Sequence, residues 1–143
     1  MKLEANCKDK YGSYTLIYKK SVVCAVIKGM ISDYLSMSFT RDMLKIAEAI
    51  PETYWGYYAD HLECLGYTPQ SESNLLDSHN NSRRLGCVVD AYRSGSALAI
   101  EQISQIRKRA GIQNDFRDRL FENEDLAIEF INRTINKQYP QAK

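Results

Sequence analysis

The stretch Arg119-Leu-Phe-Glu-Asn-Glu-Asp-Leu-Ala-Ile-Glu-Phe-Ile131 decides the fold class. Its opening residues, around Asp118 to Phe121, read as a short strand. Asn123 is a residue type that accepts a hydrogen bond from the first turn of a helix. Glu124 and Asp125 place negative charge where the helix dipole favours it. Leu126, Ala127, Phe130 and Ile131 then recur at helical spacing and form an apolar face. A strand that passes into a helix with so little between them closes an alternating strand–helix chain.

The same alternation runs upstream. A helix after the Ser94-Gly95-Ser96 turn carries Ala99, Ile100, Ile103 and Ile106 on one face and stops at Gly111. The run Cys87–Tyr92 is a strand. Thr68 followed by Pro69 reads as a cap and a first-position proline. They open a helix over about 69–84 whose apolar face is thin, with only Leu75, Leu76 and His79. Tyr54–Ala59 is an aromatic strand, with Trp55 and Tyr57 on one face and Tyr54, Gly56 and Tyr58 on the other. An earlier helix is expected from Ser36 or Ser38 to just before Pro51, with Phe39, Met43, Ile46, Ala47 and Ile50 facing inward.

Val22–Ile27 is apolar on both faces, as a strand covered on both sides must be. Tyr14–Tyr18 alternates and turns into it through Lys19-Lys20-Ser21. The predicted order is β-β-α-β-α-β-α-β-α. This gives an α/β domain with a single, mostly parallel sheet, an N-terminal antiparallel hairpin and about four helices. Residues 1–13 are expected to be a flexible segment, 14–136 the domain, 60–67 a loop and 137–143 a tail.

Composition narrows the function. With 143 residues and 44% hydrophobic content the chain can bury a core. Its 19 basic residues nearly balance 18 acidic ones, for a net charge of +1, so nucleic acid is not an expected partner. The one basic cluster, Arg107-Lys108-Arg109, falls at a helix C-terminus, where cations complement the dipole. The four cysteines have no metal-ligand or disulfide-framework spacing, which fits a reducing compartment. No apolar run approaches the ~20 residues that span a bilayer, and no secretory signal is visible. The expectation is a cytoplasmic protein with no membrane insertion, no metal and no cofactor.

Three stretches carry a family resemblance: VVCAVIKGMIS at 22–32, MLKIAEAIPETYWGYYAD at 43–60, and RLFENEDLAIEFI at 119–131. Together they resemble the STAS family, the domain of sulfate-transporter tails and anti-sigma-factor antagonists, and within it the small bacterial sporulation-antagonist-like branch. The resemblance spans about residues 14–135. It implies a non-enzymatic regulatory module that works by contact with a protein partner or by holding an apolar ligand. The phospho-switch branch has an aspartate at the end of the third strand and a serine two positions later. Asp60 matches the aspartate, but position 62 is Leu62, so the regulatory serine does not carry over.

Ligands of open α/β sheets lie beyond the carboxyl ends of the parallel strands. The candidate ligand-or-partner residues there are Asp60, His61, Tyr67, Thr68, Ser71, Arg93, Ser94 and Ser96. The Arg93–Ser96 turn could hold an anion or simply cap a helix. Ser71 stands near a helix start, where a phosphate would be favoured and where serine is also ordinary. Asp60-His61-Leu62-Glu63-Cys64 contains the residue types of a Cys–His nucleophile without a ligand-spaced partner elsewhere, so no residue is assigned a catalytic role. Ten tyrosines serve either the core or a pocket or dimer surface. The leading expectation is a protein-interaction module that could act as a homodimer. Its alternative is a carrier or sensor of a small apolar or lipid-like ligand held between the aromatic strand and a neighbouring helix. An enzyme using Cys64 and His61 stands third.

Overall fold

The computed structural model describes residues 3–140. The chain runs through β1 (Glu4–Lys8), β2 (Gly12–Lys19), β3 (Val22–Ile31), α1 (Asp33–Ala49), β4 (Trp55–Asp60), β5 (Cys64–Tyr67), α2 (Pro69–Arg84), β6 (Cys87–Arg93), α3 (Ala97–Arg109) and α4 (Glu124–Gln138). A short 3₁₀ turn, Phe116–Arg119, precedes α4. Among the described residues no helix is long and apolar enough to cross a membrane.

The six strands form one sheet in the order β1-β2-β3-β4-β6, with β5 also paired to β3. It is a mixed sheet and not the mostly parallel one expected. The β1–β2 and β2–β3 pairs are antiparallel, while β3–β4, β3–β5 and β4–β6 are parallel. β1 escaped sequence reading because only one of its faces is covered. Ala5 and Cys7 pack against the core, while Glu4, Asn6 and Lys8 point to solvent, so the strand looks merely polar. Residues 4–8 and 12–13, expected to lie outside the domain, are therefore strand residues.

β3 is long enough to serve two partners in succession. Its residues 22–26 pair with β4, and its residues 29–31 pair with β5, so β4 and β5 lie end to end along one edge. The register breaks between Gly29 and Met30. Gly29 has φ +72°, and a Cβ there would sit 2.3 Å from the Tyr11 carbonyl oxygen, so only glycine fits. The expected loop over 60–67 thus contains a strand. With Gly66 in its middle and only four residues, β5 had no legible period.

Helices α1, α2 and α3 cover one face of the sheet, and α4 alone covers β4 and β6 on the other. Trp55, Tyr57 and Ala59 pack under the three helices, while Tyr58 packs with Val22, Val89 and Ile131 under α4. Gly56 allows α4 to lie close, since a Cβ there would be 2.3 Å from Ile131 Cγ2. The core of α4 is Ala127, Ile128, Ile131 and Ile135, with Leu126 turned outward. Asn123 caps it as its residue type predicts, accepting from Leu126 N.

Two further expectations are corrected. α1 begins at Asp33, because Ser32 takes the cap and accepts from Leu35 N at 3.1 Å. Ser36 and Ser38 are buried inside the helix. Ser36 accepts from Asn74 of α2, and Ser38 shares a 2.6 Å hydrogen bond with the Tyr14 hydroxyl. The final strand near 118–121 reduces to one parallel bridge between Tyr92 and Leu120. The chain there must carry α3 on one face round the β6 edge to α4 on the other, and only Leu120 runs beside β6 long enough to pair.

The β2–β3 turn holds Lys20 at φ 53° and Ser21 at φ 64°, a left-handed pair that non-glycine residues adopt at a cost. Replacing the pair with Asn-Gly (Lys20→Asn with Ser21→Gly) should raise unfolding free energy by about 1 kcal/mol in urea titrations. A neutral or destabilising result would refute the turn geometry.

Candidate functional site

The strand-end residues singled out from sequence do come together, but they fill the crevice themselves. Asp60 accepts from Leu62 N at 2.9 Å and pairs with one nitrogen of Arg93 at 3.5 Å. His61 is buried, hydrogen-bonded to the Tyr67 hydroxyl and packed on the Tyr92 ring. Ser94 lies beside it in a closed seam with Ile103 and Phe116. Ser96 caps α3 by accepting from Ala99 N. Thr68 caps α2 and donates to Asp33. Ser71 is fully buried, its hydroxyl within 3.0 Å of the Ile31 and Ser32 carbonyls, where it ties α2 to the end of β3. Cys64 is also buried, and His61 turns its Nε2 to Tyr67, so no Cys–His pair forms.

An open cleft of about 570 Å³ lies elsewhere, between α2, the first half of β6 and the segment 111–114 that follows α3. Three side chains in it stand out. Tyr57, Ser78 and Ser82 are each more than nine-tenths buried and line the cleft, yet their hydroxyls have no hydrogen-bond partner among the described residues. The three oxygens open on the cleft and are not themselves enclosed; the enclosed atoms without a partner among the described residues are Tyr18 Oη, Glu52 Oε2, Tyr58 Oη and Arg119 Nε. Phe39 and Met43 of α1 give the cleft an apolar wall. Arg83 spans from the end of α2 to the Ala110 carbonyl at the end of α3.

The other wall is a polar network. Asp90 takes two hydrogen bonds from the buried guanidinium of Arg107, at 2.7 and 3.0 Å, and a third from the Tyr92 hydroxyl at 2.8 Å. Burial would raise the Asp90 pKa, but these bonds and the Arg107 charge hold it below the usual carboxylate range. Arg107 reaches on to the carbonyl and side-chain oxygens of Asn114, fixing the loop that bounds the cleft. His79 donates from Nδ1 to the Leu75 carbonyl at 3.0 Å, and its Nε2 lies 3.3 Å from the Tyr92 hydroxyl. Burial lowers the His79 pKa. The neutral ring's one N–H goes to Leu75 and the Tyr92 proton goes to Asp90, so Nε2 keeps its lone pair beside the Tyr92 oxygen. Cys87, also in the lining, has its pKa raised by burial, which makes it a poor nucleophile.

Among the described residues no group of three His, Cys, Asp or Glu side chains could hold a metal ion. No protein-family model and no curated protein matches the sequence. Sequence reading missed the cleft because its residues are scattered over α1, β4, α2, β6 and the segment after α3. One signal was present: Asp90 is a lone acid inside the apolar run Cys87–Tyr92. Such an acid demands a buried cation, and Arg107 supplies it.

Burial pushes the His61 pKa down to about 4, against a backbone hydrogen bond to Ala59 that acts in the opposite direction. The unfolded chain takes up a proton near pH 6.5 while the fold does not. Stability from this residue is therefore full above pH 6.5 and lost as the pH falls towards 4. Between pH 7.5 and 5.0 the loss due to His61 is about 2 kcal/mol. In urea titrations at both pH values His61→Gln should lose correspondingly less than the wild type. Equal losses would show that His61 does not titrate in this way.

Proposed function

We propose that this chain is a non-enzymatic regulatory module of STAS-like fold that senses or carries a small amphipathic molecule in the cleft between α2 and β6. The observation that carries the reading is the set of three unpartnered hydroxyls, from Tyr57, Ser78 and Ser82, in a cleft of about 570 Å³. Ligand sites commonly enclose ~300–1,000 Å³, with apolar walls and a few convergent polar groups. Support for the STAS-like part comes from the strand–helix order behind the N-terminal hairpin and from the three sequence stretches named above. Binding is favoured over turnover because Arg107 and Tyr92 occupy Asp90 and burial raises the pKa of the Cys87 thiol.

The cleft, and not the strand-end crevice, fits the expected place between the aromatic strand and a neighbouring helix, since Tyr57 belongs to β4 and Ser78 and Ser82 to α2. A protein-partner reading draws on a different observation. Leu62, Leu65 and Leu98 are exposed by 49%, 61% and 51% and lie close together at the strand ends. Such a patch on a folded surface favours contact with another protein.

Native mass spectrometry and thermal-shift screening of small organic molecules test the ligand reading. A bound mass or a stabilising compound is expected for the wild type. Ser82→Leu, which fills the cleft and breaks no hydrogen bond, should abolish the response while the protein's own Tm stays the same or rises. A wild type with no bound mass and no stabilising compound, or an undiminished response in Ser82→Leu, would overturn it.

A further inference from the structure

We infer that the cleft selects a ring-bearing organic acid, its carboxylate on Arg83 and Arg84 at the rim and its polar ring substituent turned inward to Tyr57, Ser78 and Ser82. This rests on the cleft being a ligand site, as proposed above, and it gives that ligand a chemistry.

The charge argument comes first. Arg83 and Arg84 both line the cleft and both are exposed, so they form its rim. Neither makes a salt bridge among the described residues. Arg83 uses Nη1 on the Ala110 carbonyl, and Arg84 uses Nη1 on Asn81 Oδ1 at 3.3 Å. Each guanidinium keeps further donors in the planar fork that suits a carboxylate. The lone carboxylate of the lining, Asp90, is already matched by Arg107, and Arg119 adds a second guanidinium 3.9 Å from it. The site therefore carries uncompensated positive charge, which disfavours cationic ligands.

The interior decides the rest of the molecule. Phe39 and Met43 present carbon surface, which an inorganic anion would leave uncovered. The three hydroxyls also line the cleft, and a plain alkyl chain laid against them would displace their water and leave all three without partners. Each such loss costs on the order of 1–3 kcal/mol. A lipid-like acid is thereby disfavoured, and a ring with at least one hydroxyl or carbonyl substituent satisfies both walls. Tyr57 stays protonated, and so remains a donor, because burial raises its pKa.

The test uses the full chain and five probes: 4-hydroxybenzoate, 4-hydroxybenzamide, benzoate, octanoate and inorganic phosphate. Affinities come from calorimetry, checked by the fluorescence of Trp55, the chain's one tryptophan, whose Nε1 donates to the Leu85 carbonyl just past the end of α2. The expected result is 4-hydroxybenzoate binding about tenfold or more tighter than every other probe. Arg83→Gln with Arg84→Gln should erase its advantage over the amide and leave the amide's affinity unchanged. Ser82→Ala should shrink its advantage over benzoate while the arginine effect persists. Equal binding of acid and amide, tightest binding of octanoate, or indifference to the double substitution would overturn the inference and leave the cleft a ligand site for another chemistry. Failure of all five probes at millimolar concentration also overturns it. The broader reading falls only if the native-mass and library tests fail as well.

Discussion

An acid inside an apolar edge strand and an arginine in the last turn of a helix meet as the buried pair Asp90–Arg107, and much of the molecule is arranged around that contact. Removing a carboxylate or a guanidinium from water is costly, and the pair survives burial only because its remaining lone pairs and protons are also matched. Tyr92 supplies a donor to Asp90, and Asn114 supplies acceptors to Arg107. Arg119 approaches from the edge of β6 while its guanidinium stacks on Phe130 of α4. One ion pair thus links α3, β6, the segment after α3 and the far-side helix. It also keeps a polar wall in place beside the apolar wall of α1, so the space between them does not collapse into ordinary core.

The two ends of the sheet consequently differ in character. Where the parallel strands finish, side chains close on one another: Asp60 on Arg93, His61 on Tyr67, Ser71 on the carbonyls that end β3. Most of the polar groups named there find partners in the chain, and leucines stand on the outside of that end. Near the start of β6 the helix α2 presents serines where a packed helix would present leucines. Its thin apolar face, joined by polar contacts such as Asn74 to Ser36, suffices to dock on α1 but not to fill the space against β4 and β6. The weakness of α2 as an amphipathic helix and the openness of the cleft are one physical fact seen at two levels.

Elements with a strong local code were legible. Thr68-Pro69 opens α2 and Asn123 opens α4, because a side-chain acceptor before a helical run acts within a single turn. Phe39, Met43, Ile46 and Ala47 face the core, because period alone specifies a face. Elements whose definition is non-local were not legible. β1 became a strand because β2 pairs with it, β5 because β3 outruns β4, and the expected strand before α4 failed because its neighbour offers one pairing position. Ser36 and Ser38 resemble caps locally, but the true cap, Ser32, is set by where β3 ends.

The same division governs the site. By itself the sequence determined an alternating α/β chain, the inward faces of α1 and α3, the caps of α2, α3 and α4, and a near balance of charge. Only the tertiary structure decided that the strand-end residues satisfy each other, that Arg107 is buried against Asp90 rather than resting on a helix dipole, and that Tyr57, Ser78 and Ser82 converge without partners. Helical and strand periods act over a few residues, so they can be read along the chain. Whether a hydroxyl is satisfied depends on atoms brought from distant segments, and that is settled only when the segments pack.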